Sequence, residues 1–294
     1  MLTIIIVNFN TGELLCHCLA SVLSSQLELQ LFLVDNGSSD GSLQQVQQQF
    51  GCDSRVTIIE NGTNLGFARA NNIVLRQLPS ECTYVLLLNP DCLVPPGTLE
   101  RMTIFMNSHS QVGIAGCFIA NPDGSEQRGC RRLIPTPENS FSEFIPRFFG
   151  SPKPVAGSFN LAGGSLPPQP VEVEAISGSF MFVRRLALEI VGELDQGYFL
   201  HCEDLDWCKR FALAGWKIFF VPDVKVIHHQ GTCSRSRYLR VSWHKHCGML
   251  RFYRKFYRAD YGFAVFVLAV VFIWLRFVMA ISVAFLTSWL DREN

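Results

Sequence analysis

Asp91 closes the run Leu86-Leu87-Leu88-Asn89-Pro90-Asp91, an apolar stretch that ends abruptly in turn-forming residues. Short, apolar and bounded by turn chemistry, residues 85–88 read as a fully buried strand, which sets the carboxylate at the carboxyl edge of a sheet. Ligands of open α/β sheets bind at that edge, so Asp91 is placed to meet a metal ion or a phosphate; capping the helix that begins near Gly97 is the plainer alternative. Three more carboxylates, Glu203, Asp204 and Asp206, crowd the start of a helix expected to run to Ala214. The helix dipole alone favours acids there. Tyr198, Phe199 and Trp207 surround them with apolar bulk, however, and that predicts a raised carboxylate pKa suited to a general base. His228 ends the strand-like residues 224–227. A neutral imidazole beside Asp91 would complete a site for a divalent ion, whereas a hydrogen-bonded strand end is the simpler role for a histidine.

The elements that must position these groups alternate along the amino-terminal half. Residues 3–7, 31–34, 56–59 and 84–88 predict strands, with helices near 13–25, 40–50 and 67–78, a rhythm that implies a mainly parallel sheet with right-handed crossovers. The polar loops containing Asn8 and Asn10, Asp35 to Gly41, and Asn61 to Gly66 fall at corresponding strand ends with Asn89-Pro90-Asp91, so all four should line one crevice. Asp35 can accept the imide N–H of uracil or thymine, a donor that cytosine lacks. The glycine-rich run after it allows close backbone approach and caps the next helix through Ser39 or Asp40. Asn64 and Gly66 open a further helix at the same edge, where Arg69 is placed to pair with a ligand carbonyl or phosphate. Gly178 and Ser179 precede a strand at 180–183, and either line the acceptor side or form a tight turn. Residues 131–170 are rich in Pro, Gly, Ser and Phe and show no clear period, which reads as a loop that orders over ligands or as a surface insertion.

Composition limits the partners. The 294 residues carry 25 basic and 25 acidic side chains, so no nucleic-acid surface is expected and an anionic substrate must be neutralised locally. Eleven scattered cysteines without a CxxC pair favour reduced thiols over a disulfide framework; Cys16-His17-Cys18 is a weak metal candidate. The apolar residues 2–7 are too short for a signal-peptide core. Residues 262–290 contain Arg276 as their only charge and are long enough to cross a bilayer as a helix. Their Phe, Val, Leu and Ile side chains contribute roughly −5 to −10 kcal/mol to insertion against about +3 for a central Arg, so crossing is favoured, with an interfacial helix or a re-entrant pair as alternatives. Arg251, Arg254, Lys255 and Arg258 precede the span while Arg292 follows it, which predicts a cytoplasmic catalytic part and a lipid-headgroup role for the bases.

Seven motifs stand in order: NFN, VDNGSSDGS, NLGFARANN, LLLNPDC, SGSFMFVRR, YFLHCEDLDWCKR and VIHHQG. Over about residues 2–235 the chain resembles the inverting glycosyltransferases of family 2, especially bacterial rhamnosyltransferase-like members. The resemblance implies an α/β GT-A fold, a nucleotide-diphosphate-sugar donor and a Mg²⁺ or Mn²⁺ ion. It implies Asp35 as the base-binding acid, Asp91 as the metal ligand, Asp204 as the catalytic base and His228 as a further metal or diphosphate contact. Asn89 stands where many relatives carry an Asp, leaving one carboxylate to coordinate. Glu203 and Asp206 are expected as supporting acids that orient the base, bind the acceptor or cap the helix, Asn8, Asn10, Asn64, Gly66, Arg69 and Asn89 to line the donor side, and Gly178, Ser179 and Trp207 the acceptor side. By resemblance the donor is dTDP-rhamnose, with another UDP- or GDP-sugar as alternative, and a membrane anchor favours a lipid-linked glycan acceptor. The expected division is a catalytic domain over 1–235 (donor half about 1–120, acceptor half about 121–235), a basic helical connector over 236–260 and a membrane segment over 261–294. Two other classes fit less well. A sugar-phosphate nucleotidyltransferase needs a glycine-rich basic loop near the first strand, and residues 8–12 hold no Lys or Arg; a non-catalytic sugar-binding protein has no use for Asp91, Asp204 and His228 together.

Overall fold

The computed structural model describes residues 1–140, 159–229 and 238–293, with side chains through Phe285. Strands β1 (Leu2–Asn8), β2 (Leu29–Asp35), β3 (Val56–Glu60) and β4 (Tyr84–Leu88) are parallel, in the order β3-β2-β1-β4. Helices α1 (Leu14–Leu23), α2 (Ser42–Phe50) and α3 (Phe67–Leu75) connect them, as the alternating pattern predicts. The second half supplies β5 (Cys92–Leu93), α4 (Thr98–Ser108), β6 (Val112–Ala120), β7 (Arg131–Arg132), β8 (Val171–Glu172), β9 (Ala175–Ile176) and β10 (Phe180–Arg184). It continues with α5 (Arg185–Val191), α6 (Glu203–Leu213), β11 (Lys217–His228), α7 (Tyr238–Phe256) and α8 (Arg258–Glu293). Strand β10 inserts antiparallel between β4 and β6, and β11 runs parallel to β6, so the sheet is mixed but mainly parallel.

Both sheet faces are covered, which is why the central strands read as continuous apolar runs rather than alternating ones. Ile4, Ile6, Leu31 and Leu33 point to one side and pack with Leu15 and Leu19 of α1 and Met102 of α4. Ile5, Val34 and Leu87 point to the other, with Val74 of α3, Trp207 and Phe211 of α6 and Phe252 of α7. Each aliphatic side chain buried this way stabilises the fold by roughly 1.5–3 kcal/mol, so the sheet is a rigid platform for its edge loops.

Helix α7 buries Phe252 and Tyr253 in the same core as Trp207, so its apolar face is part of the globular unit. Helix α8 bends at Gly262 (φ 73°) and then stays helical through Arg276, without the turn a re-entrant pair needs. Trp243 of α7 packs on Trp274 and Phe277 of α8, at ring-centroid distances of 5.1 and 5.7 Å. Within the expected loop at 131–170, the described ends place β7 against β9; residues 141–158, the Gln230-Gly231 end of the last motif and the expected boundary at 235 lie outside the described residues. Described cysteines are free thiols, and the Cys16-His17-Cys18 candidate does not converge, since Cys16 and Cys18 face the core while His17 faces out.

Candidate active site

Two strand pairings build the first half of the site. β11 pairs antiparallel with β5 so that His228 stands opposite Cys92, and the His229 amide donates to the Asp91 carbonyl at 3.0 Å. This brings Nε2 of His228 to 2.9 Å from Oδ1 of Asp91, both side chains nearly buried. On the other ring nitrogen, Nδ1 lies 2.6 Å from Oε1 of Gln127, whose amide donates to Oδ1 of Asn121 at 3.1 Å. That amide orientation, assigned from the hydrogen-bond network, puts the imidazole hydrogen on Nδ1 and turns the Nε2 lone pair toward Asp91. A lone pair facing a carboxylate oxygen at 2.9 Å is repulsive unless a cation stands between them, either a proton or a metal ion. Asp91, Cys92 and His228 have ligand atoms within 4.8 Å of one another. Burial pushes the Cys92 thiol well above its ordinary pKa, and the neighbouring Asp91 charge adds to this, so the sulfur stays protonated. The carboxylate oxygen and the imidazole nitrogen are left as the ligands that could hold a divalent ion.

A turn at residues 177–179 joins this half to the acidic one. Because Phe180 pairs with Leu88, the residue before β10 falls opposite the residue after β4, and the Asn89 amide donates to the Ser179 carbonyl at 3.0 Å. Asn89 Nδ2 reaches both Ser179 Oγ (3.2 Å) and His228 Nε2 (3.3 Å). One residue earlier, the Gly178 amide donates to Oδ2 of Asp204 at 3.1 Å. Gly178 and Ser179 therefore tie the metal-type pair to the acid at the amino end of α6. A side chain at 178 would meet the Asp204 Cβ at 3.4 Å.

The acids of α6 divide by direction. Asp204 is ion-paired with Arg132, which also donates to the Ile176 carbonyl at 2.5 Å. Burial alone would raise its pKa as the apolar neighbours suggest, but the Arg132 charge and hydrogen bond outweigh it and hold the carboxyl below its ordinary value. Its neighbour Glu203 shows the raised pKa instead, pushed up to about 8 by burial and by the Asp204 charge. Asp206 turns away into the protein, accepting from Arg210 (2.7 Å), Lys255 (2.6 Å) and Tyr198 (3.1 Å). It fastens α6 to α7 rather than supporting the base directly. The helix starts from His201 and Cys202, consecutive non-glycine residues at φ 68° and 70°. Such backbone strain of about 1–3 kcal/mol per residue persists where surroundings over-determine it, and it recurs at functional sites.

Several expected ligand contacts turn out to hold the protein to itself. Trp207 does not line an acceptor surface: it is fully buried, edge-on to Phe211, and its indole N–H donates to the Gly192 carbonyl at 2.9 Å. Asn8 is also internal, its Nδ2 reaching Asp35 (2.8 Å), Ser38 (3.0 Å) and Ser42 (2.9 Å). Oδ2 of Asp35 accepts the Gly37 and Ser38 amides at 3.0 and 2.9 Å, which leaves Oδ1, already bonded to Asn8, with one lone pair for a base imide. Asn10 accepts the Ser39 amide at 2.8 Å and Asn64 the Gly66 amide at 2.9 Å, both at the shared loop edge. Gly66 serves a backbone approach, since a Cβ there would stand 2.5 Å from the Phe199 carbonyl oxygen, and the Phe67 amide donates to that oxygen at 2.9 Å. Arg69 is exposed on α3. Arg132, which pairs with Asp204 itself, and Gln127, which holds the ring of His228, are absent from the sequence reading.

The chain's likeness to known proteins agrees with this arrangement. The family model described as Glycosyl transferase family 2 matches residues 3–163. Over 240 residues the chain is 29% identical to N-acetylglucosaminyl-diphospho-decaprenol L-rhamnosyltransferase of Mycobacterium tuberculosis, covering 78% of this chain and 76% of that protein. It is 26% identical over 254 residues to rhamnosyltransferase WbbL of Escherichia coli, covering 83% and 89%. Among solved structures, a mannosyltransferase from Pyrobaculum calidifontis in complex with GDP-Man and Mn²⁺ superposes with a TM-score of 0.59 at 17% identity, covering 94% of this chain and 69% of that one. That likeness carries the GT-A type fold, and with the family match spanning more than half the sequence, this chain belongs to glycosyl transferase family 2.

Proposed function

We propose that the chain is an inverting, metal-dependent rhamnosyltransferase that moves rhamnose from dTDP-rhamnose to a polyprenyl-diphosphate-linked glycan at the cytoplasmic face of the membrane, in cell-surface polysaccharide synthesis. Residues 1–235 act as the catalytic unit, 236–260 as a connector that also packs on it, and 261–294 as the membrane-associated segment. The observation that carries the reading is the bridged pair of half-sites: Asp91 with His228 on one side, Asp204 on the other, joined through Asn89, Ser179 and Gly178. The two named rhamnosyltransferase relatives supply the sugar, and the M. tuberculosis relative's name supplies the lipid diphosphate.

In this reading Asp204 takes the proton of an acceptor hydroxyl as that oxygen attacks the anomeric carbon. The bond from that carbon to the diphosphate breaks on the opposite face, its electron pair leaves with the nucleotide diphosphate, and the configuration inverts. Arg132 keeps Asp204 ionised at every physiological pH. A weak base suffices, because a hydroxyl bonding to an oxocarbenium-like carbon becomes strongly acidic. A Mg²⁺ or Mn²⁺ ion held by Asp91 and His228 would supply Lewis-acid neutralisation of the leaving diphosphate. Asp35 and the 36–41 loop hold the base end of the donor, with Asn10, Asn64 and Arg69 along the same edge.

The test uses membranes containing the full chain, a panel of dTDP-, UDP- and GDP-sugars, and a polyprenyl-diphosphate-linked N-acetylglucosamine acceptor. The expected result is transfer from dTDP-rhamnose that stops with EDTA, returns with Mn²⁺ or Mg²⁺, and gives a product of inverted anomeric configuration by NMR. Use of a UDP- or GDP-sugar instead would replace the donor. Transfer that ignores EDTA and survives Asp91→Asn would overturn the metal assignment.

A further inference from the structure

His228 can hold an ion through Nε2 only when its ring hydrogen sits on Nδ1, and Asp91 works against this, since a carboxylate 2.9 Å from Nε2 draws the hydrogen to that nitrogen. The opposing pull comes from a turn at the end of β6. Ala120 and Glu126 form an antiparallel bridge, the Asn121 amide donates to the Ser125 carbonyl and the Gly124 amide to the Asn121 carbonyl, both at 2.9 Å. The Gln127 amide then donates to the Ile119 carbonyl at 2.8 Å, which fixes the Gln127 side chain under the imidazole. The side chains of this turn form a series with one direction. A carboxylate only accepts, so the Ser125 hydroxyl gives its single hydrogen to Oδ1 of Asp123 at 2.6 Å. Ser125 Oγ in turn accepts from Asn121 Nδ2 at 2.9 Å. That points Asn121 Oδ1 at Gln127 Nε2, 3.1 Å away, and leaves Oε1 of Gln127 facing Nδ1 of His228 at 2.6 Å. Every hydrogen of the series points toward Asp123, and Oε1 has none to give, so Nδ1 carries the next.

On the other side of the ring, Asn89 Nδ2 stands 3.3 Å from Nε2, a donor placed against the lone pair that this tautomer leaves there. Gln127 and His228 are both buried, which keeps solvent from offering Nδ1 another partner. We propose that Gln127, oriented by Asn121, Ser125 and Asp123, is the positioning residue that selects the Nδ1–H tautomer of His228 and so reserves Nε2 for a divalent cation. This rests on the metal reading above and deepens it by naming what makes a histidine that faces a carboxylate a ligand rather than a hydrogen-bond donor. Without an acceptor at residue 127 the ring hydrogen moves from Nδ1 to Nε2 and bonds Asp91, which closes the pair on itself.

The test uses the full chain in detergent micelles, labelled with ¹⁵N-histidine, without metal and at alkaline pH so that the rings are neutral. Ring-nitrogen NMR, with the His228 signals assigned by their loss in His228→Gln, should show the hydrogen on Nδ1 and a lone pair on Nε2. Gln127→Leu offers no acceptor and should move the hydrogen to Nε2. Mn²⁺ binding, followed by the EPR signal of the free ion, should weaken about 10- to 100-fold in the same variant, the loss typical when the group holding a metal-binding histidine is removed. Gln127→Glu keeps an acceptor in place and should retain the tautomer and most of the affinity, which a loss of packing alone would not explain. Asn121→Leu frees the Gln127 amide to turn over and should populate both tautomers; it carries the test, with the spectrum of the unaltered chain, if Gln127→Leu fails to fold. Hydrogen on Nε2 in the unaltered chain, or unchanged Mn²⁺ affinity in Gln127→Leu, overturns the proposal. Failure of the unaltered chain to bind Mn²⁺ although Nδ1 carries the hydrogen brings down the metal reading on which it rests.

Discussion

Neighbouring carboxylates at the start of α6 are set to opposite protonation states. Arg132 keeps Asp204 ionised, while burial and the Asp204 charge push Glu203 up to about 8, so near neutral pH one is charged and the other neutral. A general base must be charged and a neutral acid is mimicked by its amide, which separates the two by substitution. Asp204→Asn should lower kcat by a factor of about 10² to 10⁴, the range for losing a positioned base, with nucleotide affinity nearly unchanged. Glu203→Gln should stay within a few fold of the unaltered enzyme. As Glu203 ionises near pH 8 it places a second negative charge beside the Asp204–Arg132 pair, so activity should fall on that alkaline side and the fall should vanish in Glu203→Gln. Steady-state kinetics from pH 5 to 10 check this; loss of turnover in Glu203→Gln with retention in Asp204→Asn would exchange the roles. The positions of Asp91, His228 and Asp204 at the ends of their elements were legible in the sequence because the pattern reveals each element's type. The direction of each carboxyl's pKa was not, since that of Asp204 depends on Arg132, 72 residues away in sequence, and that of Glu203 on its burial beside Asp204. Gln127 is likewise 101 residues from His228. An adjacent Arg131-Arg132 pair was the only local signal, and it reads equally as surface charge.

Helix α7 illustrates what pattern alone leaves out at the level of elements. Parallel strands β1 to β4 announce themselves as short apolar runs closed by turn residues, whereas β6 carries glycines at 113 and 116 and α7 reads as a basic stretch beside an apolar one. Where α7 docks is decided by distant partners: Asp195 accepts from Arg251 at 2.8 Å and Lys255 at 2.9 Å, and Lys255 reaches Asp206 as well. Asp206 reads from sequence as an active-site acid, and Trp207 as an acceptor contact, for the same reason. A helix's amino-terminal acids look alike until its facing elements are known. Asp195 is partly buried, which raises its pKa, but the hydrogen bonds from Lys255 and Arg251 outweigh this and bring it to about 2. A carboxyl depressed in the folded state stabilises the fold above its unfolded pKa near 4, and that contribution disappears as pH falls toward 2. The shift corresponds to about 2 kcal/mol, discounted to about 1 because both cations are substantially exposed. Asp195→Asn should therefore lower thermal stability at pH 7 by a few degrees and flatten the acid limb between about pH 4 and 2. Thermal melts across that range measure it, and an acid limb as steep as the unaltered protein's would remove Asp195 from the account.

For the whole molecule, the exposed face of α8 decides how the chain would meet a membrane. Leu268, Val271, Leu275 and Val278 are each more than half exposed and form one stripe, an apolar face that water would penalise and lipid would not. The opposite stripe is occupied: Ala269 and Ile273 are buried against the protein, Tyr261 bonds Glu138, and Tyr238 of α7 donates to the Ala280 carbonyl at 3.4 Å. Between Tyr261 and Ala280 the helix is docked for about 30 Å, which equals the thickness of a bilayer's hydrocarbon core. Crossing the bilayer in this arrangement would carry α7 and the Pro135 segment to a depth where irregular backbone has no water to bond. Composition alone favours crossing because it counts every apolar residue as lipid-facing, whereas Ala269 and Ile273 are buried against protein. A helix lying in the interface would give its exposed stripe to lipid and leave the other docked on the protein. Epitope tags at Met1 and after Asn294 should then both be cleaved by protease added to the cytoplasmic side of sealed vesicles, and both be protected in vesicles of the opposite orientation. A carboxyl-terminal tag cleaved only from the opposite side would mean that α8 undocks and spans, and that the contacts of Ala269, Ile273 and Ala280 are exchanged for lipid.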